Sequence, residues 1–168
     1  MEQYTKISVF LLISFFAILS GCIKEEQYPL EPKIDFVDFN TYRDITDKDS
    51  LGEITISYTD GDGDIGLNSY DTVEPYKYNY YLKFMQLIND QLVEVKPVDS
   101  NITFNSRIPI LTPAGRNKNI KGNIRMSLEI YFARQLLQSN TIAFEIYIKD
   151  RALNKSNVIT TPLFIIKK

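Results

Sequence analysis

The chain has 168 residues, a formal net charge of −2 and no histidine. This length fits one domain, and the charge lacks the basic excess of a nucleic-acid-binding protein. Without histidine, a Ser-His-Asp or Cys-His catalytic centre cannot be built. We therefore expect one globular, non-catalytic domain that binds no nucleic acid.

Residues 1–21 are interpreted as a signal peptide. Lys6 supplies a positive charge, and residues 7–19 (ISVFLLISFFAIL) form an uncharged apolar run. This run is shorter than the roughly 20 residues that a transmembrane helix needs. The alternative is an ordinary leader followed by a chance cysteine, or an uncleaved anchor.

The end of the leader, Leu19-Ser20-Gly21-Cys22, resembles the lipobox of bacterial lipoproteins. The resemblance implies cleavage before Cys22 and transfer of a lipid to its thiol. Cys22 is the only cysteine, so it has no intrachain disulfide partner. Two or three acyl chains on one cysteine anchor a protein stably to a membrane.

Residues 22–32 are expected to be the lipidated cysteine and a tether. Residues 23–26 (IKEE) have no Asp directly after the cysteine, unlike enterobacterial lipoproteins retained at the inner membrane. The lysine followed by two acidic residues resembles the surface-export signal of Bacteroidota lipoproteins. Pro29 and Pro32 favour an extended backbone. We expect an outer-membrane location, with the cell surface and the periplasmic face as alternatives.

Residues 33–168 predict an all-β domain, an immunoglobulin-like two-sheet β-sandwich of seven or eight strands. The evidence is period-two alternation of apolar residues, interrupted by a hairpin turn at Asn89-Asp90. A short helix is predicted around Phe132–Gln138. Seven strands are predicted near residues 34–37, 54–58, 78–84, 92–95, 102–104, 124–130 and 142–148. The apolar segments 158–159 and 163–166 at the end of the chain are predicted to supply the last strand.

An acidic loop, TDGDGDIG, follows the second predicted strand. Asp60, Asp62 and Asp64 alternate with glycine, and Asp71 lies eleven residues after Asp60. Such a curled loop can aim its carboxylates at one cation, and calcium takes about six to eight oxygen ligands. The spacing departs from an EF-hand, because Ile65 stands where that loop needs glycine and a strand precedes it. We predict a calcium site at these four aspartates; the alternative is a solvated turn without an ion.

The acidic loop after an apolar strand also resembles a segment of Bacteroidota lipoproteins with immunoglobulin-like domains. In those proteins a late segment like residues 150–157 (DRALNKSN) forms the loop before the last strand. The resemblance implies a fold and a location, and no activity. Asp150 and Asn154 are expected to cap a turn; they join the calcium site only if the fold brings this loop alongside.

Tyrosines cluster before and within the third predicted strand. Alternation assigns Tyr78 and Tyr80 to the core, whereas Tyr76 and Tyr81 are candidate contacts for a glycan or protein partner. The sequence therefore predicts a membrane-anchored binding or assembly module stabilised by calcium. The alternative is a glycan-binding component of a surface polysaccharide-uptake system. A two-carboxylate hydrolase ranks last, because no spacing identifies the pair.

Overall fold

The structure is a computed structural model that describes residues 26–97, 99, 102–112 and 119–168. The predicted signal peptide and Cys22 lie outside the described residues. Within the described part, no helix combines the length and apolarity needed to cross a membrane. Two antiparallel sheets form a β-sandwich, which confirms the predicted fold class.

Eight strands and one short helix are described. The strands are β1 (Lys33–Arg43), β2 (Asp49–Asp60), β3 (Tyr80–Ile88), β4 (Gln91–Glu94), β5 (Ile120–Glu129), β6 (Thr141–Ile148), β7 (Ile159–Thr160) and β8 (Phe164–Ile165), and the helix is α1 (Ile130–Ala133). The first sheet has the order β1-β2-β5. The second has the order β4-β3-β6-β7, with β8 also paired to β6.

A β-bulge at Val37 lets β1 keep its apolar side chains on the core side. Phe36 pairs with Ile56 and Asp38 with Thr55, so Val37 is the extra residue. The bulge shifts the alternation by one residue, and Phe39 therefore points into the core three residues after Phe36.

The core lies between the two sheets. Phe144 on β6 contacts Phe39 at 4.9 Å and Phe84 at 5.1 Å between ring centroids, both edge-on. Each fully buried side chain of this kind contributes about 1.5–3 kcal/mol. The isoleucines that are completely buried come from both sheets, the helix and the loops: Ile34, Ile54, Ile56, Ile65, Ile108, Ile130, Ile142, Ile146 and Ile148.

Two local predictions were wrong. Residues 102–104 do not form a strand, because the Asn105 side chain accepts the Leu82 N–H (3.1 Å) in place of a ladder carbonyl. Only Ser106 forms a bridge there, to Tyr80. The helix begins at Ile130 rather than Phe132 and is followed by a turn through Leu136.

The sandwich has two distinct ends. We call the end that carries the loops 60–64 and 150–154 the acidic end; β1 begins there, with Lys33 opposite Thr59. The far end carries the β1–β2 turn and the last residues of the chain. Asp49 at the start of β2 donates its N–H to Lys167 O (2.8 Å) and accepts the Lys167 N–H at its Oδ2 (2.7 Å).

Candidate metal centre

Asp60 and Asp64 belong to one tightly turned loop. Asp60 is the last residue of β2, and the chain turns through Gly63 at φ 70°, a conformation that glycine adopts without strain. The Asp64 N–H then donates to Asp60 Oδ2 at 2.9 Å. The loop thus holds the two carboxylates side by side at the end of the strand.

Asp150 comes from a second loop, directly after β6. Its Oδ1 accepts the Asn154 N–H (2.8 Å) and its Oδ2 accepts the Asn154 side-chain amide (2.9 Å). This is the capped turn expected from the sequence. Ala152 N–H also donates to Asp64 Oδ2 at 3.1 Å, so the two loops are joined.

The fold brings Asp60, Asp64 and Asp150 together. One carboxylate oxygen of each lies within 4.8 Å of the others. Their side chains are removed from water, with residue exposures of 0%, 8% and 1%. The Oδ1 atoms of Asp60, Asp62 and Asp64 are buried and accept no hydrogen bond. Buried acceptors of this kind normally have partners, so these oxygens need an explanation.

The carboxylates repel one another. Burial and the charges of Asp62, Asp64 and Asp150 raise the pKa of Asp60 to about 6. Burial, followed by the charges of Asp150 and Asp62, also raises the pKa of Asp64. Burial raises the pKa of Asp150 although Asn154 donates two hydrogen bonds to it. A bound proton or cation would offset this charge and stabilise the site at neutral pH.

The donor set fits a hard divalent cation. Carboxylate and carbonyl oxygens are the ligands that calcium prefers, and calcium tolerates irregular geometry. The carboxylates of Asp60, Asp64 and Asp150 would hold the ion. Asp62, whose charge raises the pKa of Asp60 and whose Oδ1 is also buried without a partner, is the further candidate ligand. A soft metal does not fit, because the three grouped residues supply only carboxylate oxygens and no thiolate or imidazole.

Asp71, the fourth predicted ligand, is not part of the cluster. Its Oδ2 accepts the Asn68 N–H at 3.0 Å, and its own N–H donates to Asn68 O at 3.1 Å. Arg107 also contacts the Asp71 carbonyl. The side chain therefore closes a separate turn in the connection between β2 and β3.

The two candidate tyrosines lie in different surroundings. Tyr81 is on the outer face of the second sheet and stacks on Tyr147, with centroids 4.6 Å apart and planes at 6°. Lys149 and Lys155 lie over the rings of Tyr81 and Tyr147 at 5.4 and 4.1 Å. Tyr76 lies in the β2–β3 connection, where its carbonyl accepts a hydrogen bond from Arg107.

Comparison with protein-family models, curated proteins and solved structures finds no match. The site is therefore interpreted from its own geometry.

Proposed function

We propose that the protein is a lipid-anchored, non-catalytic β-sandwich module whose fold is stabilised by calcium at Asp60, Asp62, Asp64 and Asp150. Its role is binding or assembly at the membrane. The observation that carries the calcium assignment is the set of buried carboxylate oxygens without partners. A bound cation would satisfy these oxygens and offset their repulsion together.

The lipid anchor is supported by the sequence. The apolar leader ends in Leu19-Ser20-Gly21-Cys22, and no other cysteine follows. The residues after Cys22 favour the outer membrane, and the lysine-acidic pattern favours its outer surface. Mass spectrometry of the native protein tests this assignment: we expect Cys22 to be the first residue and to carry acyl chains, and a free thiol would overturn it.

A non-catalytic role is supported by the burial of the acidic cluster. The carboxylates face one another beneath two joined loops, where a substrate would have to displace backbone hydrogen bonds to reach them. Such an arrangement suits a structural ion better than an acid–base pair.

Terbium luminescence and thermal unfolding test the calcium site. Tyr58 lies two residues before Asp60 and can sensitise terbium bound there. We expect terbium emission that calcium quenches by competition, and a higher melting temperature in millimolar calcium than in chelator. An unchanged melting temperature together with no emission would overturn the proposal.

The second candidate function is glycan binding, favoured by a cavity beside the Tyr81–Tyr147 stack. The cavity has a volume of about 290 Å³ and is also lined by the ion-paired Lys83 and Glu145. Aromatic and paired polar groups together suit a sugar ring. A glycan array with the wild type and Tyr147→Ala tests this: a signal that the variant loses supports it, and an array without signal removes it.

A further inference from the structure

The N-terminal segment of the described chain is docked on the acidic loop. Gly61, between two of the clustered aspartates, donates its N–H to Pro29 O at 2.8 Å. The approach is so close that a Cβ at Gly61 would lie 2.6 Å from that carbonyl oxygen and would also overlap that of Tyr28. Only glycine lets the segment lie there.

Two asparagines complete this docking. Asn119 accepts the Tyr28 N–H (3.1 Å) and donates to Glu26 O (2.8 Å). Asn157, in the loop that begins at Asp150, forms two hydrogen bonds of 2.8 Å with the backbone of Ile34. Of the two loops that supply the carboxylates, the first therefore contacts the segment at Pro29, and the second contacts Ile34 in β1, just after the segment ends.

The docked segment limits how far the domain can stand from the lipid. Cys22 precedes Glu26 by four residues, and an extended chain spans at most about 3.5 Å per residue. The tether between the lipidated cysteine and the docked segment is therefore at most about 14 Å long. If the segment detached as far as Lys33, the tether would have eleven residues and a maximum length of about 38 Å. Because β1 also begins at the acidic end, docking would hold that end within the shorter distance of the lipid.

The acidic end carries groups that suit a lipid surface. Leu30 and Leu153, on the docked segment and on the 150–154 loop, are 59% and 38% exposed. Lys33, at the start of β1, is an exposed cation. Lys121 is also exposed and forms an ion pair of 2.9 Å with Glu26 of the docked segment. Apolar tips insert at the headgroup boundary, and cations are attracted to anionic lipids. Unneutralised carboxylates would oppose this contact, and a bound cation would remove that opposition.

We propose that the acidic end is the surface that rests on the lipid bilayer, and that metal binding keeps residues 26–32 docked there. The inference rests on the proposed lipid anchor and calcium site. Because binding equilibria are reciprocal, docking of the segment also strengthens metal binding. Loss of the ion would detach residues 26–32 and lengthen the tether, so that the domain could move away from the lipid.

Fluorescence quenching on vesicles tests the contact. The full-length lipidated protein is reconstituted in vesicles of phosphatidylcholine and phosphatidylglycerol that carry a headgroup nitroxide. Because lipid occupies the Cys22 thiol, one introduced cysteine takes one label: Leu153→Cys at the acidic end, or Ile45→Cys, fully exposed at the far end. We expect several-fold stronger quenching at position 153 in calcium, and a decrease in chelator. Equal quenching at the two positions would overturn the proposal.

Gly61→Ala tests docking without removing a carboxylate, since its Cβ would overlap the backbone carbonyls of Tyr28 and Pro29. Introduced into the Leu153→Cys protein, it should abolish the excess quenching and weaken terbium binding several-fold. For the quenching measurement Gly122→Ala is the matched control, because its Cβ would meet only the Tyr58 side chain at 3.1–3.3 Å. Unchanged quenching in Gly61→Ala would overturn the role of docking. Absence of terbium emission in the wild type, together with a melting temperature that calcium does not change, would instead overturn the calcium site, and the two labels would still show which end faces the lipid.

Discussion

Asp60 closes β2 with its carboxylate completely buried. Water cannot solvate this charge, and three further aspartates raise its pKa to about 6. Between the ordinary pKa of Asp and this value, the native state binds more protons than the unfolded state. The free energy of unfolding therefore falls as the pH rises through this interval.

The first prediction concerns metal-free protein. Between pH 4 and pH 7, burial of Asp60 should lower the free energy of unfolding by on the order of 2–3 kcal/mol. Asp44 acts in the opposite sense at lower pH, because hydrogen bonds led by that from the Thr46 hydroxyl hold its pKa well below its usual range. Urea unfolding of wild type and Asp60→Asn in chelator isolates the contribution of Asp60. A difference between the two proteins that does not change with pH would contradict the prediction.

The second prediction distinguishes the cluster found in the fold from the set predicted by spacing. Asp150→Asn should abolish most of the rise in melting temperature produced by calcium, because it removes a carboxylate from the site. Asp71→Asn is the control and should keep that rise, since Asp71 closes a separate turn. Differential scanning calorimetry with calcium and with chelator measures both. If Asp71→Asn abolished the rise and Asp150→Asn kept it, the ligands would instead be those predicted from the sequence, with Asp71 in place of Asp150.

At the scale of elements, alternation in the sequence predicted the long strands well. In β5 and β6 apolar residues alternate with polar ones over most of the strand, and a strand with one buried face needs this period. The segment at 102–104 has the same pattern over too few residues. There the Asn105 side chain, rather than the backbone pattern, determines how the chain meets β3.

The acidic site could be predicted only in part. Asp60, Asp62 and Asp64 occupy every second position of one short glycine-containing segment, so the sequence alone shows that they share a loop. Asp150 joins them because β2 and β6, in different sheets, end at the same end of the sandwich. Sequence spacing carries no such information, and it favoured Asp71 for its proximity along the chain.

The third prediction concerns the packing of β2 against β1 and α1. A Cβ at Gly52 would lie 2.8 Å from the Phe39 ring and 2.9 Å from Ile130 Cδ1. Gly52→Ala should therefore lower the free energy of unfolding by about 1–3 kcal/mol through overpacking. Gly122→Ala, which meets only the Tyr58 side chain, should cost less. Urea denaturation compares the two, and an equal or smaller cost at Gly52 would contradict this account.

At the scale of the whole molecule, the two ends of the sandwich are closed by different means. The acidic end depends on loops that hold like charges together. The far end depends on Asp49, which is 3% exposed, pairs with the Lys167 backbone and lies 3.6 Å from Arg43 Nε. Ile166, next to this contact, is buried in the core. The Asp49 carboxylate thus joins the C-terminal residues to the start of β2.

The fourth prediction tests this closure. Asp49→Ala leaves the Lys167 N–H without its acceptor and should lower the free energy of unfolding by about 1–3 kcal/mol. Asp38→Ala, at an exposed position on β1, is the control and should change it by less than about 0.5 kcal/mol. Urea denaturation at pH 7 measures both variants. Equal values for the two would show that the contact does not stabilise the C-terminal residues.

Because Lys167 pairs with Asp49 at the far end, residue 168 and the docked residue 26 lie at opposite ends of the sandwich. β2 joins the two ends with 12 residues, and at about 3.3 Å per residue it spans about 40 Å. An epitope tag fused to Lys168 would therefore project from the end opposite the one on which the N-terminal segment is docked. Antibody staining of intact cells that carry this fusion would report which side of the outer membrane displays the domain.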